Sequence, residues 1–175
     1  MNTWQQPPIG SQTPAPIPFP GVSAFAKPTP PTGKRILVVD DNLIVVKTIS
    51  MKLKSKGYQV FTAMDGSAAV STVRKEHPDL ILLDINFPPD VGHGGGVPWD
   101  GFLIMDWLRR IDEAKDTPVI IITGGDPAQY EQRSLACGAI AFFHKPIDHD
   151  NLLGVIHKAI GPSGAPEAPP TTIAI

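Results

Sequence analysis

The chain reads as an α/β protein of the doubly wound kind, a parallel sheet covered by helices on both faces. Two observations carry that expectation. Strand-like and helix-like patterns alternate five times with short connections, the arrangement that builds parallel sheets. Two wholly apolar runs, Ile36-Leu37-Val38-Val39 and Leu80-Ile81-Leu82-Leu83, are too short for helices and end abruptly in acids, Asp40-Asp41 and Asp84. Continuous apolar runs of this length mark strands buried on both faces. A carboxylate where such a strand leaves the interior is costly unless it is wetted, metal-bound or used in chemistry.

Each element has its own signal. Residues 35–39 form the first strand. Asn42 caps a helix over 43–56, in which Val45, Ile49 and Leu53 fall on one stripe and Lys47, Lys52, Lys54 and Lys56 lie mostly opposite. Gly57 ends it. Residues 58–62 alternate like an outer strand, and 66–77 read as a second helix that stops before Pro78. The Asp84 strand follows, then a long polar connection over 87–99 with glycines at 92, 94, 95 and 96. Asp100 caps a third helix, 102–111. Residues 118–122 are a buried strand closing on Thr123-Gly124-Gly125. Asp126-Pro127-Ala128-Gln129 opens a fourth helix with an N-cap acid, a proline at N1 and Gln at N3, and that helix runs to Cys137. Residues 139–143 are the fifth strand, His144-Lys145-Pro146 a turn, and 148–160 the last helix.

Composition bounds the rest. A chain of 175 residues holds one domain with little to spare. Of its 20 prolines, nine lie in residues 1–33 and four beyond Gly161, where Lys27 and Glu167 are the only charged side chains. Such segments bury too little surface to offset chain entropy. Residues 1–33 and 161–175 are therefore expected to be disordered Pro-rich arms around a folded unit at 34–160. A net charge of −2 without a basic stripe gives no footprint for nucleic acid. The single cysteine, Cys137, forms no intrachain disulfide and fits a reducing compartment. No signal-peptide pattern opens the chain and no apolar run approaches the ~20 residues of a membrane span, so a cytoplasmic protein is expected.

In doubly wound sheets the working site lies beyond the carboxyl ends of the strands. That rule brings Asp40, Asp41, Asp84, Thr123 and Lys145 to one edge. Three carboxylates there repel, by about 4 kcal/mol per pair at ~4 Å and an effective dielectric near 20. A divalent cation relieves this, and an all-oxygen donor set without a His or Cys cluster favours Mg²⁺. With an ammonium and a hydroxyl added, the set suits a phosphoryl group, with Asp84 as the nucleophile that forms an acyl phosphate.

On these residues the chain resembles the receiver domains of two-component response regulators, over about residues 34–160. Ile36-Leu37-Val38-Val39-Asp40-Asp41-Asn42 is similar to the family's acidic-pair motif, and Asp79-Leu80-Ile81-Leu82-Leu83-Asp84-Ile85-Asn86-Phe87-Pro88 to its phosphoacceptor segment. Thr123 matches the hydroxyl position and Lys145-Pro146 the lysine before a cis proline. The resemblance implies a flavodoxin-like (βα)5 sheet in the order 2-1-3-4-5. It implies that Asp41 ligates Mg²⁺ directly, Asp40 mainly through water, and the backbone carbonyl of Asn86 as a further ligand. Asp84 would take phosphate from a phosphohistidine on a sensor histidine kinase or phosphotransfer protein. Thr123 and Phe142 match the switch pair that remodels the face of the fourth helix, fifth strand and fifth helix, which a downstream protein reads.

Two departures stand out. Residues 89–99 form an insertion of about nine residues in a loop class that is usually short. It borders the acidic cleft, where a solvated Gly-rich loop, a gate or a kinase-docking element are all compatible with it. Gly124 stands where the family commonly carries a small residue such as alanine. Neither Asn86 nor Gly125 supplies a bulky shield against water, which predicts a short-lived phosphoryl group. Other patterns carry less: His93-Gly94-Gly95-Gly96 lacks a Gly-x-Ser-x-Gly partner, Gly33-Lys34 lacks the rest of a P-loop, and His144 and His149 lack metal-ligand spacing.

The leading expectation is a stand-alone phosphoacceptor acting by protein contact, since only ~15 residues follow the last helix, too few for an output module. It is not expected to be an enzyme beyond its own phosphoryl transfer and autodephosphorylation. The rival from the enzyme class is an aspartyl-nucleophile phosphatase or phosphotransferase. The haloacid dehalogenase type places a second acid two residues past the first, where this chain has Asn86. A third possibility is a phosphorylation-independent scaffold that docks through the Pro-rich arms.

Overall fold

In the computed structural model, residues 33–86 and 101–164 are described. The 87–99 connection, the Asp100 cap and nearly all of the two Pro-rich arms lie outside them. The elements run β1 (Arg35–Val39), α1 (Leu43–Ser55), β2 (Gln59–Ala63), α2 (Gly66–Glu76), β3 (Leu80–Leu83), α3 (Gly101–Leu108), β4 (Val119–Thr123), α4 (Pro127–Ala136), β5 (Ala141–His144) and α5 (His149–Ile160). All strand pairs are parallel, in the order β2-β1-β3-β4-β5.

Strand alternation sorts the central residues onto two cores. Leu37, Val39, Ile81, Leu83, Val119 and Ile121 face α2 and α3, where Val73, Phe102, Ile104, Met105 and Leu108 meet them. Ile36, Val38, Leu80, Leu82, Ile120 and Ile122 face α1 and α5, packing on Val46, Ile49, Leu53, Leu152 and Ile156. Every side chain of Leu80–Leu83 is buried, so this strand has no polar face. At roughly 1.5–3 kcal/mol per buried aliphatic side chain, the sheet centre is the main source of stability.

The element order matches the sequence reading, and the boundaries shift for local reasons. The third helix ends at Leu108 rather than residue 111. Arg110 N–H turns back to the Trp107 carbonyl, and the Arg109 guanidinium donates to the carbonyls of Lys115, Thr117 and Gly138. These bonds hold residues 109–117 in turns. The second helix stops at Glu76 because His77, placed before Pro78, adopts a left-handed cap (φ 45°). Pro118 lies outside β4, whose first residue is Val119, although its carbonyl accepts from Ile81 N–H. Tyr58 precedes β2 rather than opening it: its N–H closes on Leu53, and its hydroxyl donates to the Gly161 carbonyl at 3.2 Å. The fifth strand starts at Ala141, since Ala139 and Ile140 donate to Ser134 and Val119.

Residues 161–164, assigned to the tail from sequence, pack onto the domain. Ser163 is buried and its carbonyl accepts from Lys34 N–H at 2.9 Å. No helix among the described residues is long and apolar enough to cross a membrane.

Candidate functional site

The site is built from strand ends. Asp40 follows β1 directly, its N–H bonded to the Ala63 carbonyl at 3.1 Å; Asp84 follows β3, its N–H bonded to the Val39 carbonyl at 2.8 Å. These bonds continue the ladders by one residue and fix both Cα positions at the same edge. Thr123 is the last residue of β4, and its carbonyl accepts from Lys145 N–H at 2.8 Å, just past β5. The Lys145–Pro146 peptide is cis.

The side chains converge. Carboxylate oxygens of Asp40, Asp41 and Asp84 lie within 4.8 Å of one another. Asp40 and Asp84 are 2% and 4% exposed, so water does little to screen them, whereas Asp41 is exposed. The Lys145 ammonium sits 2.6 Å from Asp40 Oδ2 and 2.5 Å from Asp84 Oδ2. The opposite oxygens are held by backbone: Asn42 N–H donates to Asp40 Oδ1 at 2.8 Å and Asn86 N–H to Asp84 Oδ1 at 2.9 Å. Both acids are thereby oriented by one cation and one backbone donor. Thr123 is fully buried, and its hydroxyl oxygen accepts from Gly125 N–H at 3.1 Å.

Electrostatics follow from burial. Desolvation pushes the Asp84 carboxyl above the ordinary carboxylate range, and the Asn86 N–H and the Lys145 ammonium only partly offset it, while Asp40 adds to the rise. Burial alone would lower Lys145. Its bonds to Asp40 and Asp84 outweigh that and hold the ammonium above its usual range. The lysine therefore stays charged throughout the physiological range.

Gly101 backs the site. A Cβ there would stand 2.4 Å from Ile85 Cα and 2.6 Å from the Asp84 carbonyl oxygen, so α3 packs onto the strand end only because residue 101 lacks one. Phe142 is half-buried against the core of α2 and α3, and His144 is exposed. Cys137 caps α4 at intermediate burial. Of the residues singled out from sequence, the structure brings Asp40, Asp41, Asp84 and Lys145 together, with Thr123 at the same edge. Tyr130 was not anticipated: its ring lies against Gly125 beside the Asn86 carboxamide. Its signal was a glycine five residues ahead of an aromatic residue in the first turn of a helix.

Strand order and site edge together define a flavodoxin-like α/β domain whose acidic pocket lies where the strand order reverses. Comparison with known proteins narrows the class: residues 36–157 match the response regulator receiver domain family, and the chain belongs to it. It is 34% identical over 125 residues to the sporulation initiation phosphotransferase F of Bacillus subtilis, covering 71% of this chain and 92% of that one. It is 37% identical over 114 residues to the response regulator PleD of Caulobacter vibrioides, which covers 65% of this chain but only 23% of PleD. Among solved structures it resembles the receiver domain of the sensor histidine kinase PA1611 from Pseudomonas aeruginosa, which has a magnesium ion coordinated in its active-site cleft. That likeness has a TM-score of 0.63 at 28% identity and covers 74% of this chain and 98% of the other. The chain is a receiver domain of the two-component type, and the phosphatase alternative is not favoured.

Proposed function

We propose that Asp84 is the phosphoacceptor of this receiver. The observation that carries the reading is a lysine bonded at once to two buried strand-end acids, with a third acid alongside. A phosphohistidine on a sensor histidine kinase or phosphotransfer protein is the donor. An Asp84 oxygen bonds to phosphorus as the N–P bond breaks, and the bonding pair remains on the imidazole nitrogen. Lys145 and the Thr123 hydroxyl stabilise the equatorial oxygens.

The donor set fits a hard dication. Among the described residues its side chains offer carboxylate oxygens within 4.8 Å of one another, one of them on the exposed Asp41. Asp40, Asp41, Asp84 and the backbone carbonyl of Asn86 would hold Mg²⁺, which supplies neutralisation of the charge that accumulates as phosphate arrives. Asp40 and Asp84 each retain lone pairs beyond those used by Lys145 and the backbone.

Thr123 and Phe142 form the switch, and a downstream protein reads the face made by α4, β5 and α5. The protein acts in the cytoplasm as one receiver unit, residues 34–160, with an inserted segment at 89–99 and Pro-rich arms. Its only catalysis is its own phosphoryl transfer and autodephosphorylation. Incubation with acetyl phosphate and MgCl₂ followed by intact mass tests the core of this reading. One phosphate adduct is expected, lost in Asp84→Asn and in the presence of EDTA. Labelling that survives Asp84→Asn sinks the assignment.

A further inference from the structure

Residue 125 has no side chain, and another element fills its place. A Cβ on Gly125 would stand 2.4 Å from Cε2 and 2.7 Å from Cδ2 of Tyr130, and 3.0 Å from Nδ2 of Asn86. The Tyr130 ring, in the first turn of α4, thus occupies the space a side chain at 125 would take, next to the Asn86 carboxamide. Both neighbours are tied to the pocket: Gly125 N–H to Thr123 Oγ1 at 3.1 Å, and Asn86 N–H to Asp84 Oδ1 at 2.9 Å. The ring is supported from α3, with Phe102 stacked on it at 6.2 Å between centroids and the Arg133 guanidinium 3.8 Å from the Phe102 centroid. Gly124 differs: among the described residues a Cβ there would meet nothing within 4 Å. A Cβ is thus unobstructed at 124 and obstructed at 125 among the described residues.

We infer that Tyr130 is a wall of the phosphoryl pocket, restricting the approach of water and of small phosphodonors to Asp84 and so lengthening the life of its acyl phosphate. The inference rests on Asp84 being the acceptor. It replaces the expectation of an unshielded site, which counted only the small residues at 86 and 125. Hydrolysis needs a water in line with the bond to be broken. The water oxygen bonds to phosphorus, the P–O bond to Asp84 breaks, and the bonding pair stays on the Asp84 carboxylate. Dihydrogen phosphate leaves and gives up a proton to solvent near neutral pH. A small donor such as acetyl phosphate enters by the same side, with acetate departing where water would arrive. One wall therefore slows both reactions. A ring that served only to support the fold would have a different signature, because loosening the pocket slows phosphate uptake.

The test compares uptake from acetyl phosphate and decay after donor removal, by intact mass, in wild type, Tyr130→Ala and Tyr130→Phe. Tyr130→Ala is expected to speed both uptake and decay by about tenfold, and Tyr130→Phe, which restores the ring, to return both towards wild type. If Tyr130→Ala does not fold, Tyr130→Leu carries the same comparison, with both rates raised by a smaller factor. Decay within about twofold of wild type in the folded variant, or uptake that falls, overturns the wall while leaving the acceptor in place. Absence of Asp84-dependent labelling in wild type overturns the acceptor reading and the wall with it.

Discussion

Replacing Lys145 by Met tests how this edge is held together. The ammonium contacts Asp40 Oδ2 at 2.6 Å and Asp84 Oδ2 at 2.5 Å, with the lysine side chain 20% exposed and the acids 3% and 4%. At an effective dielectric near 20, each contact has a gross attraction of about 6 kcal/mol, much of it offset by desolvation. Removing the cation also leaves the acids facing each other within 4.8 Å, a repulsion of about 3 kcal/mol on the same scale. Loss of one partner from a buried pair typically costs about 3–5 kcal/mol, and that is the expected deficit in EDTA near neutral pH. The pH dependence follows from the acid, since Asp84 is already raised by burial, with Lys145 among the influences that lower it. In the variant its carboxyl rises further. A raised carboxyl carries no penalty where it is protonated in both states, and the penalty grows as pH climbs from the unfolded value through the folded one. The deficit should therefore shrink on acidification, and excess MgCl₂ near neutral pH should also reduce it. Urea unfolding followed by far-UV circular dichroism at several pH values measures this. A deficit below about 1 kcal/mol, or one that does not change with pH, refutes the reasoning.

Four further outcomes follow. Gly101→Ala forces a Cβ into Ile85 Cα and the Asp84 carbonyl, so a loss of about 3 kcal/mol and slower phosphate uptake are expected from urea unfolding and acetyl phosphate labelling. Arg109→Ala frees three carbonyls, at Lys115, Thr117 and Gly138, and should cost about 2 kcal/mol in the same unfolding assay, with amide exchange accelerated in residues 109–117. Ser50 is buried in α1 and its hydroxyl has no partner among the described residues, so Ser50→Ala should raise the unfolding midpoint, by about 1 kcal/mol of stability. Tyr58 is held above its usual range by burial and bonds Gly161. Its contribution is complete below the unfolded phenol value and lost as pH rises through the folded one. Tyr58→Phe should cost about 1 kcal/mol at neutral pH and lose that part of the alkaline decline.

The sheet and its working edge were legible because they depend on runs of apolar residues that end in acids. Leu80–Leu83 has no polar alternative to a doubly buried strand, and the chain exit rule then sets Asp84, Asp40, Thr123 and Lys145 in register. Helix ends were less legible because distant groups decide them. Nothing near residue 108 announces that Arg109 will reach carbonyls as far away as Gly138. The packing of residues 161–164 was hidden for the same reason, since Ser163 is held by Lys34, at the other end of the domain sequence. At the site, residue types predicted which groups meet, but counting side chains at 86 and 125 missed the space filled by Tyr130 across the turn into α4.

The way Asp84 is held bears on why this acid rather than its neighbours would react. Each of its oxygens has one donor, Lys145 on one side and the Asn86 N–H on the other, so its direction is fixed. Yet burial still outweighs both donors and raises the carboxyl. A carboxylate poorly stabilised as an anion holds its lone pairs more loosely and is the better nucleophile toward phosphorus. Asp41 is exposed to water rather than set into the strand edge. Asp40 is as buried as Asp84 but lies one strand away, after β1 rather than β3. On the reading that Asp84 is the acceptor, the same burial that weakens the fold at this edge raises its carboxyl, and Lys145 limits the loss without cancelling the rise.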